Sequence, residues 1–371
     1  MKKILSINGV KKRNFYLILL LTIALAVFGC VMVYSASSYS AELNYGNKHF
    51  FLTKQIIGVV LGLIALFVTY KFDYHKLKKL KWVALVAAFI CLILVFIPGI
   101  GVSNYGARRW IGLPGFTIQG SEVAKFCFIL YCAIYLEEKK DDMHKFKTLL
   151  PILIIGGLIC LLIMLEPNMS ITMVVGITML IMLFIGGTKI KHFLFLALPI
   201  IILVPVLIII EPYRLSRLMA FINPWANPQG EGYQLIQSLY SLGGGGLFGV
   251  GLFSSRQKYL FLPFSESDFI FSIIGEELGL VGGLIVVATF FVLVFTIYNV
   301  AKNARDRFGL YLSIGIGSII AIQVLINLAV VTGSIPPTGV PLPLISAGSS
   351  SLIVFMAAIG IVLNINKQNN I

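Results

Sequence analysis

Charge is what this chain has least of. Asp, Glu, Lys and Arg make up 12% of its 371 residues and apolar residues 58%, against about 25% and about 45–50% in an ordinary soluble domain. That balance argues against a soluble globular class, because so much apolar surface needs lipid to cover it. Cysteine is confined to Cys30, Cys91, Cys127, Cys132 and Cys160, all inside apolar runs, with no C-x-x-C and no paired spacing. They read as packing thiols and not as a disulfide framework. His49, His75, His144 and His192 stand singly, without a second ligand at metal spacing, so no histidine metal site is expected. Solenoid repeats, heptads and low-complexity tails are absent too.

Long apolar runs are what is present. Crossing a ~30 Å hydrocarbon core takes about 20 helical residues, and suitable runs lie near 15–36, 50–70, 82–98, 118–136, 148–165, 170–186, 191–210, 268–300, 309–331 and 347–364. The second, fourth, fifth and sixth are short or carry Lys, Gln or Glu. The expected fold is an all-α polytopic membrane protein of about ten transmembrane helices, with residues 1–371 forming a single integral membrane domain. Lys2, Lys3, Lys11, Lys12 and Arg13 ahead of the first run resemble a signal peptide, but the run is too long for an h-region and no soluble domain follows.

Lys and Arg outnumber Asp and Glu by 29 to 15, a net charge of +14. With both termini cytoplasmic, 20 of the 29 basic residues fall on the inner side, a positive-inside pattern that points to membrane lipids and away from nucleic acid. The remaining nine are Lys48, Lys54, Arg108, Arg109, Lys125, Arg214, Arg217, Arg256 and Lys258. Three loops lie outside on this reading: 99–117, with Arg108, Arg109 and Trp110; the large loop 211–267 between helices 7 and 8; and 332–346, TGSIPPTGVPLPLIS. Unstructured loops as long as 211–267 are usually functional, so an active site is expected to face outward. Gly244, Gly246 and Gly249 spell G-x-G-x-x-G, but without the βαβ frame that a dinucleotide site needs.

Gln119, Glu122 and Lys125, three apart, fall on one stripe of the fourth span. Ionisable groups at that depth cost at least ~2.5–3.5 kcal/mol each unless they pair or line a wet cavity. Two readings stay open: an internal Glu122–Lys125 salt bridge, or the polar wall of a substrate cleft near Arg108 and Arg109. Asp268 stands where the long loop meets the eighth span, placed to meet both water and a lipid-borne substrate, or else to cap the helix with Ser265 and Ser267 as rivals. Glu276 lies about 80° round the helix from Asp268 and borders the same cavity on this reading, while Glu277 faces another helix. Arg214, Arg217, Arg256 and Lys258 crowd the ends of the long loop, suited to an anionic partner such as a pyrophosphate, or to anionic headgroups.

The segments GARRWIGLPGFTIQGSEVAK, NPWANPQGEGYQLIQSLYSLGGGGLFGVGL, SRQKYLFLP, SDFIFSIIGEELGLVGG and TGSIPPTGVPLPLISAGSSS together resemble the SEDS family (shape, elongation, division and sporulation; FtsW/RodA/SpoVE). The NPW, SRQK and VVTG segments look closer to its division and sporulation branch. The resemblance implies ten transmembrane helices in the bacterial cytoplasmic (plasma) membrane. It also implies a peptidoglycan glycosyltransferase that polymerises lipid II, the undecaprenyl-pyrophosphate-linked disaccharide pentapeptide, with a class B penicillin-binding protein transpeptidase as partner. Asp268 matches the family's essential aspartate, Glu122 and Lys125 its charged pair, and Arg109 a basic residue of its outer loop. Arg108, Gln119, Lys258 and Glu276 complete the expected substrate-binding set. No cofactor is called for, and whether a divalent cation (Mg or Mn) assists the pyrophosphate stays open.

Gly120, Phe264, Ala347 and Ser349 depart from the family pattern, as does EPNMS at 166–170, where Q-P-D-L-G is usual and the acid moves from the position of Asn168 to Glu166. A lipid II flippase and a weakly active scaffold for a penicillin-binding protein remain the rival readings.

Overall fold

The computed structural model describes residues 2–104, 107–113, 116–210 and 212–369. Gly106, Pro114 and Gly115 of the GARRWIGLPGF segment, and Glu211 at the head of the long loop, lie outside them. The helices in chain order are α1 Lys2–Tyr45, α2 Phe50–Lys71, α3 Lys81–Leu94, α4 Gly120–Glu138, α5 Phe146–Leu165, α6 Met169–Ile185, α7 Ile190–Ile210, α8 Pro212–Ile222, α9 Tyr233–Gly245, α10 Ile270–Lys302, α11 Arg307–Val331 and α12 Ser349–Gln368. Among the described residues α1, α2, α5, α10, α11 and α12 are long and apolar enough to cross a membrane, and α6 is a shorter apolar helix. The chain is a multi-pass membrane protein.

The bundle is built around α11, whose Ile316, Ile319, Ile320 and Val330 are all buried. The outward faces are greasy in turn: Ile57, Val60, Ile64 and Phe67 of α2 stand exposed, as suits a lipid-facing helix. The opposite face of α2 is shaved to glycine, where a Cβ at Gly62 would stand 2.5 Å from Met356 Sδ of α12. Small residues four apart, here Gly58 and Gly62, let membrane helices approach closely.

Two expectations need correction. Residues 99–117 are not a bare loop, and the chain is not purely α-helical: β1 Gly101–Asn104, β2 Ala107–Leu113 and β3 Phe116–Gln119 form an antiparallel sheet in the order β1-β2-β3. Val102 pairs with Trp110 and Ile111 with Ile118, branched and aromatic residues suited to a pleated surface. Gln119 therefore ends a strand, opposite Trp110, instead of starting the helical stripe of Glu122 and Lys125. The long loop is likewise ordered, since it holds α8, a 3-10 turn at Pro224–Ala226, and α9.

At about 50 Å, α10 is longer than a ~30 Å hydrocarbon core requires. It breaks at Gly279, whose φ of 68° is left-handed. The returning loop takes up backbone groups around the break: Val250 and Gly251 donate to the carbonyls of Glu276 and Glu277 at 2.9 and 3.1 Å, and Leu280 and Val281 donate to those of Gly246 and Leu247 at 2.9 and 3.1 Å. Gly249 (φ 82°) sits so close that a Cβ would lie 2.1 Å from the Glu277 carbonyl oxygen. The glycine-rich motif is thus the inner lining of a helix break.

Candidate active site at the loop-rich end

Asp268 is half-buried, two residues ahead of α10 and outside the helix. It is not the cap: Phe269 holds that position without a side-chain hydrogen bond, Ser265 Oγ donates instead to the Ala36 carbonyl at 3.2 Å, and Ser267 Oγ to that of Phe264 at 3.5 Å. The carboxyl is thereby left for other work. Its backbone is clamped by the segment between α11 and α12. Asn327 Nδ2 bridges the carbonyls of Asp268 (2.8 Å) and Val340 (2.7 Å), Ser346 Oγ donates to the Ser267 carbonyl (2.6 Å), and Ala347 N donates to that of Glu266 (2.9 Å). A Cβ at Gly339 would come within 3.1 Å of Asp268 Oδ2, so this glycine leaves the carboxyl room.

Burial pushes the Asp268 carboxyl up to about 6, against the pull of the Arg109 and Arg217 guanidinium groups, with Glu266 adding to the rise. Arg217, on α8, donates to the Pro337 carbonyl at 2.8 Å, which ties the long loop to the 337–340 segment. Arg109, on β2, donates through Nε to the Glu166 carbonyl (3.2 Å) and through Nη2 to that of Pro167 (2.5 Å), which ties the sheet to the α5–α6 turn. Arg108 precedes it on β2 and is exposed; the pairing slips between Val102 and Ser103, which makes Arg109 the extra residue of a bulge.

Glu122 and Lys125 do form the expected pair. Lys125 Nζ donates to Glu122 Oε1 at 2.7 Å and to Gln323 Oε1 of α11 at 2.6 Å, and Ser351 of α12 donates to Glu122 Oε2 at 2.9 Å. Both charged side chains are buried to 1% exposure or less. The expected cleft wall is thus a dry knot joining α4, α11 and α12.

The structure differs further for Lys258 and Glu276. Lys258 Nζ lies 3.2 Å from Glu277 Oε1 with 5% exposure, and Ser35 of α1 donates to the same Glu277 oxygen at 2.6 Å. Glu276 accepts from Ser241 Oγ (3.1 Å), Ser255 Oγ (2.5 Å) and the backbone N–H of Arg256 (2.9 Å). These residues bolt the loop to α9, α10 and α1, with Glu277 Oε2 left without a hydrogen-bond partner among the described residues. The sequence pairing of Glu277 with another helix is what the structure has.

Three residues near Asp268 went unmarked as site residues, Arg217, Glu266 and Asn327, as did Glu166 beside Arg109. Arg217 was visible as an outer basic residue and Glu166 as an acid in an unusual place. Asn327 and Glu266 carried no signal, because only the folded chain brings them to Asp268.

The chain is similar to known proteins over most of its length. The model of the FtsW, RodA and SpoVE family, described as "Cell cycle protein", matches residues 15–371. Stage V sporulation protein E of Bacillus subtilis is 40% identical over 95% of this chain and 97% of its own length. A probable peptidoglycan glycosyltransferase FtsW of Trichlorobacter lovleyi is 40% identical over 94% and 92%. Among solved structures, a chain of a peptidoglycan synthase complex that coordinates polymerization and crosslinking superposes with a TM-score of 0.76, at 27% identity over 94% of this chain and 96% of that one. The rod shape determining protein RodA of Thermus thermophilus shares the fold, with a TM-score of 0.70, at 24% identity over 95% and 97%. The chain belongs to the FtsW/RodA/SpoVE family of cell cycle proteins.

Proposed function

We propose that the chain is a peptidoglycan glycosyltransferase that polymerises lipid II into glycan strands on the outer face of the bacterial cytoplasmic membrane, for division or sporulation wall synthesis. The observation that carries this reading is Asp268, a half-buried carboxyl with no capping duty, set beside two guanidinium groups at the mouth of the bundle. The relatives' names support the reaction class.

In this mechanism the Asp268 carboxylate takes the proton from the attacking sugar 4-hydroxyl. The hydroxyl oxygen forms the new bond to the donor's anomeric carbon, and the bond from that carbon to the pyrophosphate oxygen breaks with inversion. The electron pair leaves on the lipid pyrophosphate, where Arg109 and Arg217 offset the growing charge, the electrostatic help expected of donors fixed in a dry site. Arg108, exposed next to Arg109 on β2, meets the headgroup. Glu122, Lys125, Lys258 and Glu276 act one layer back, holding α4, α10 and the long loop under the reacting groups.

The proposed topology takes α1–α7 and α10–α12 as ten spans of one integral membrane domain, with α8 and α9 on the outer surface and both termini cytoplasmic. A class B penicillin-binding protein crosslinks the emerging strand. The closed Glu122–Lys125–Gln323 knot speaks against a flippase, which needs polar groups open to a path. The deciding experiment is polymerisation of lipid II by the purified protein, alone and with a penicillin-binding protein whose transpeptidase site is dead. Strands that vanish in Asp268→Ala establish the reading, and their absence from folded wild-type protein overturns it.

A further inference from the structure

The α5–α6 turn holds a carboxyl that the mechanism above does not use. Glu166 is wholly buried, and both its side-chain oxygens lack a hydrogen-bond partner among the described residues. An unpaired buried carboxyl costs about 1–3 kcal/mol or more, so one that persists calls for an explanation. Its own carbonyl is taken by Arg109, the residue whose charge also acts on Asp268. The turn is joined to the wall of the site as well: Ser170 Oγ donates to the Thr338 carbonyl, next to the Gly339 that leaves room for Asp268. Asn168 is occupied, since its side chain caps α6 by accepting from Ile171 N at 3.2 Å, and it offers no substitute.

Among the described residues no N–H or O–H is aimed at the Glu166 oxygens, and the charge that favours its anion is that of Arg109. A neutral carboxylic acid has an O–H to give, and an anion beside a pyrophosphate would repel it. We propose that Glu166 is a substrate-binding residue that works in its protonated form, donating a hydrogen bond to an oxygen of the lipid pyrophosphate alongside Arg109. The proposal rests on the lipid-pyrophosphate reading given above. It also accounts for the EPNMS departure: glutamine, usual at this position, and protonated glutamate are neutral donors of the same shape. Burial raises the Glu166 carboxyl to about 8 against the pull of Arg109, which keeps it protonated at neutral pH.

The test is equilibrium binding of undecaprenyl pyrophosphate to the purified full-length protein, on either side of about pH 8, for wild type, Glu166→Gln and Glu166→Ala. Wild-type affinity falls as pH rises through about 8, where the O–H is lost. Glu166→Gln binds as wild type at neutral pH and keeps its affinity at higher pH, while Glu166→Ala binds roughly tenfold or more weakly at neutral pH. An alkaline fall that persists in Glu166→Gln overturns the proposal, as does wild-type affinity in Glu166→Ala or no binding by the wild type. Binding that follows the expected pattern, in a protein that makes no strands from lipid II, upholds Glu166 and overturns the glycosyltransferase reading instead. Glu166→Gln keeps size and shape, so the comparison survives even if the alanine variant misfolds.

Discussion

At the end of the bundle where α10 finishes and α11 begins, acids are given partners. Asp73 accepts from Gln368 Nε2 (3.0 Å) and His75 Nδ1 (2.9 Å), which holds it low, at about 2, the Gln368 bond acting most. Asp306 receives Tyr74 Oη (2.9 Å), stands 3.1 Å from His75 Nε2, and caps α11 through Gly309 N (2.8 Å). At the other end, burial outweighs Arg109 and Arg217, so Asp268 and Glu166 rise to about 6 and about 8. The same chemical group is thus made a permanent anion at one end and a titrating one at the other. Partners make the first kind a brace, and their scarcity leaves the second able to trade protons with a ligand.

The comparison breaks most visibly at Asp268. Asp268→Ala is expected to cost about 10²- to 10⁴-fold in lipid II polymerisation while the protein elutes as wild type from size exclusion. Next in size is Lys125→Met, which strands the buried Glu122 charge and should remove about 3–5 kcal/mol of stability, read as a lower thermal midpoint in detergent. Glu122→Gln together with Lys125→Met should recover most of that loss.

Smaller effects test the signs. The polymerisation rate should fall as pH drops through about 6, where the Asp268 carboxylate is lost. A carboxyl whose pKa is raised by folding opposes folding once ionised, a cost that sets in above its unfolded value and is complete above about 6. Asp268→Asn should therefore raise stability at neutral pH, by about 1–2 kcal/mol, while abolishing strand formation. Asp73 has the reverse sign: its stabilisation is present above its unfolded pKa and lost as pH falls through about 2. At that part-exposed site Asp73→Asn should change stability by no more than about 0.5 kcal/mol.

The membrane helices were legible because each must be about 20 apolar residues long, a constraint that acts locally on the chain. Asp268 was legible for a related reason, since a carboxylate abutting an apolar run stands out. The three-stranded sheet was not: its strands of four and seven residues are too short for a clear alternation, and register comes from pairing. Nor could spacing show that Lys258 turns to Glu277, 19 residues on, because the loop first has to fold back on α10. Glu166 drew notice only as a misplaced acid; its isolation is a property of what surrounds it in space.

The break at Gly279 has a kinetic meaning. Val250 and Gly251 belong to a loop, yet their amide protons are held by carbonyls of a membrane helix. Such protons exchange with solvent only when the partner opens as well. In deuterated buffer the amides of Val250 and Gly251 should therefore label on the slow clock of α10, although they lie in a loop.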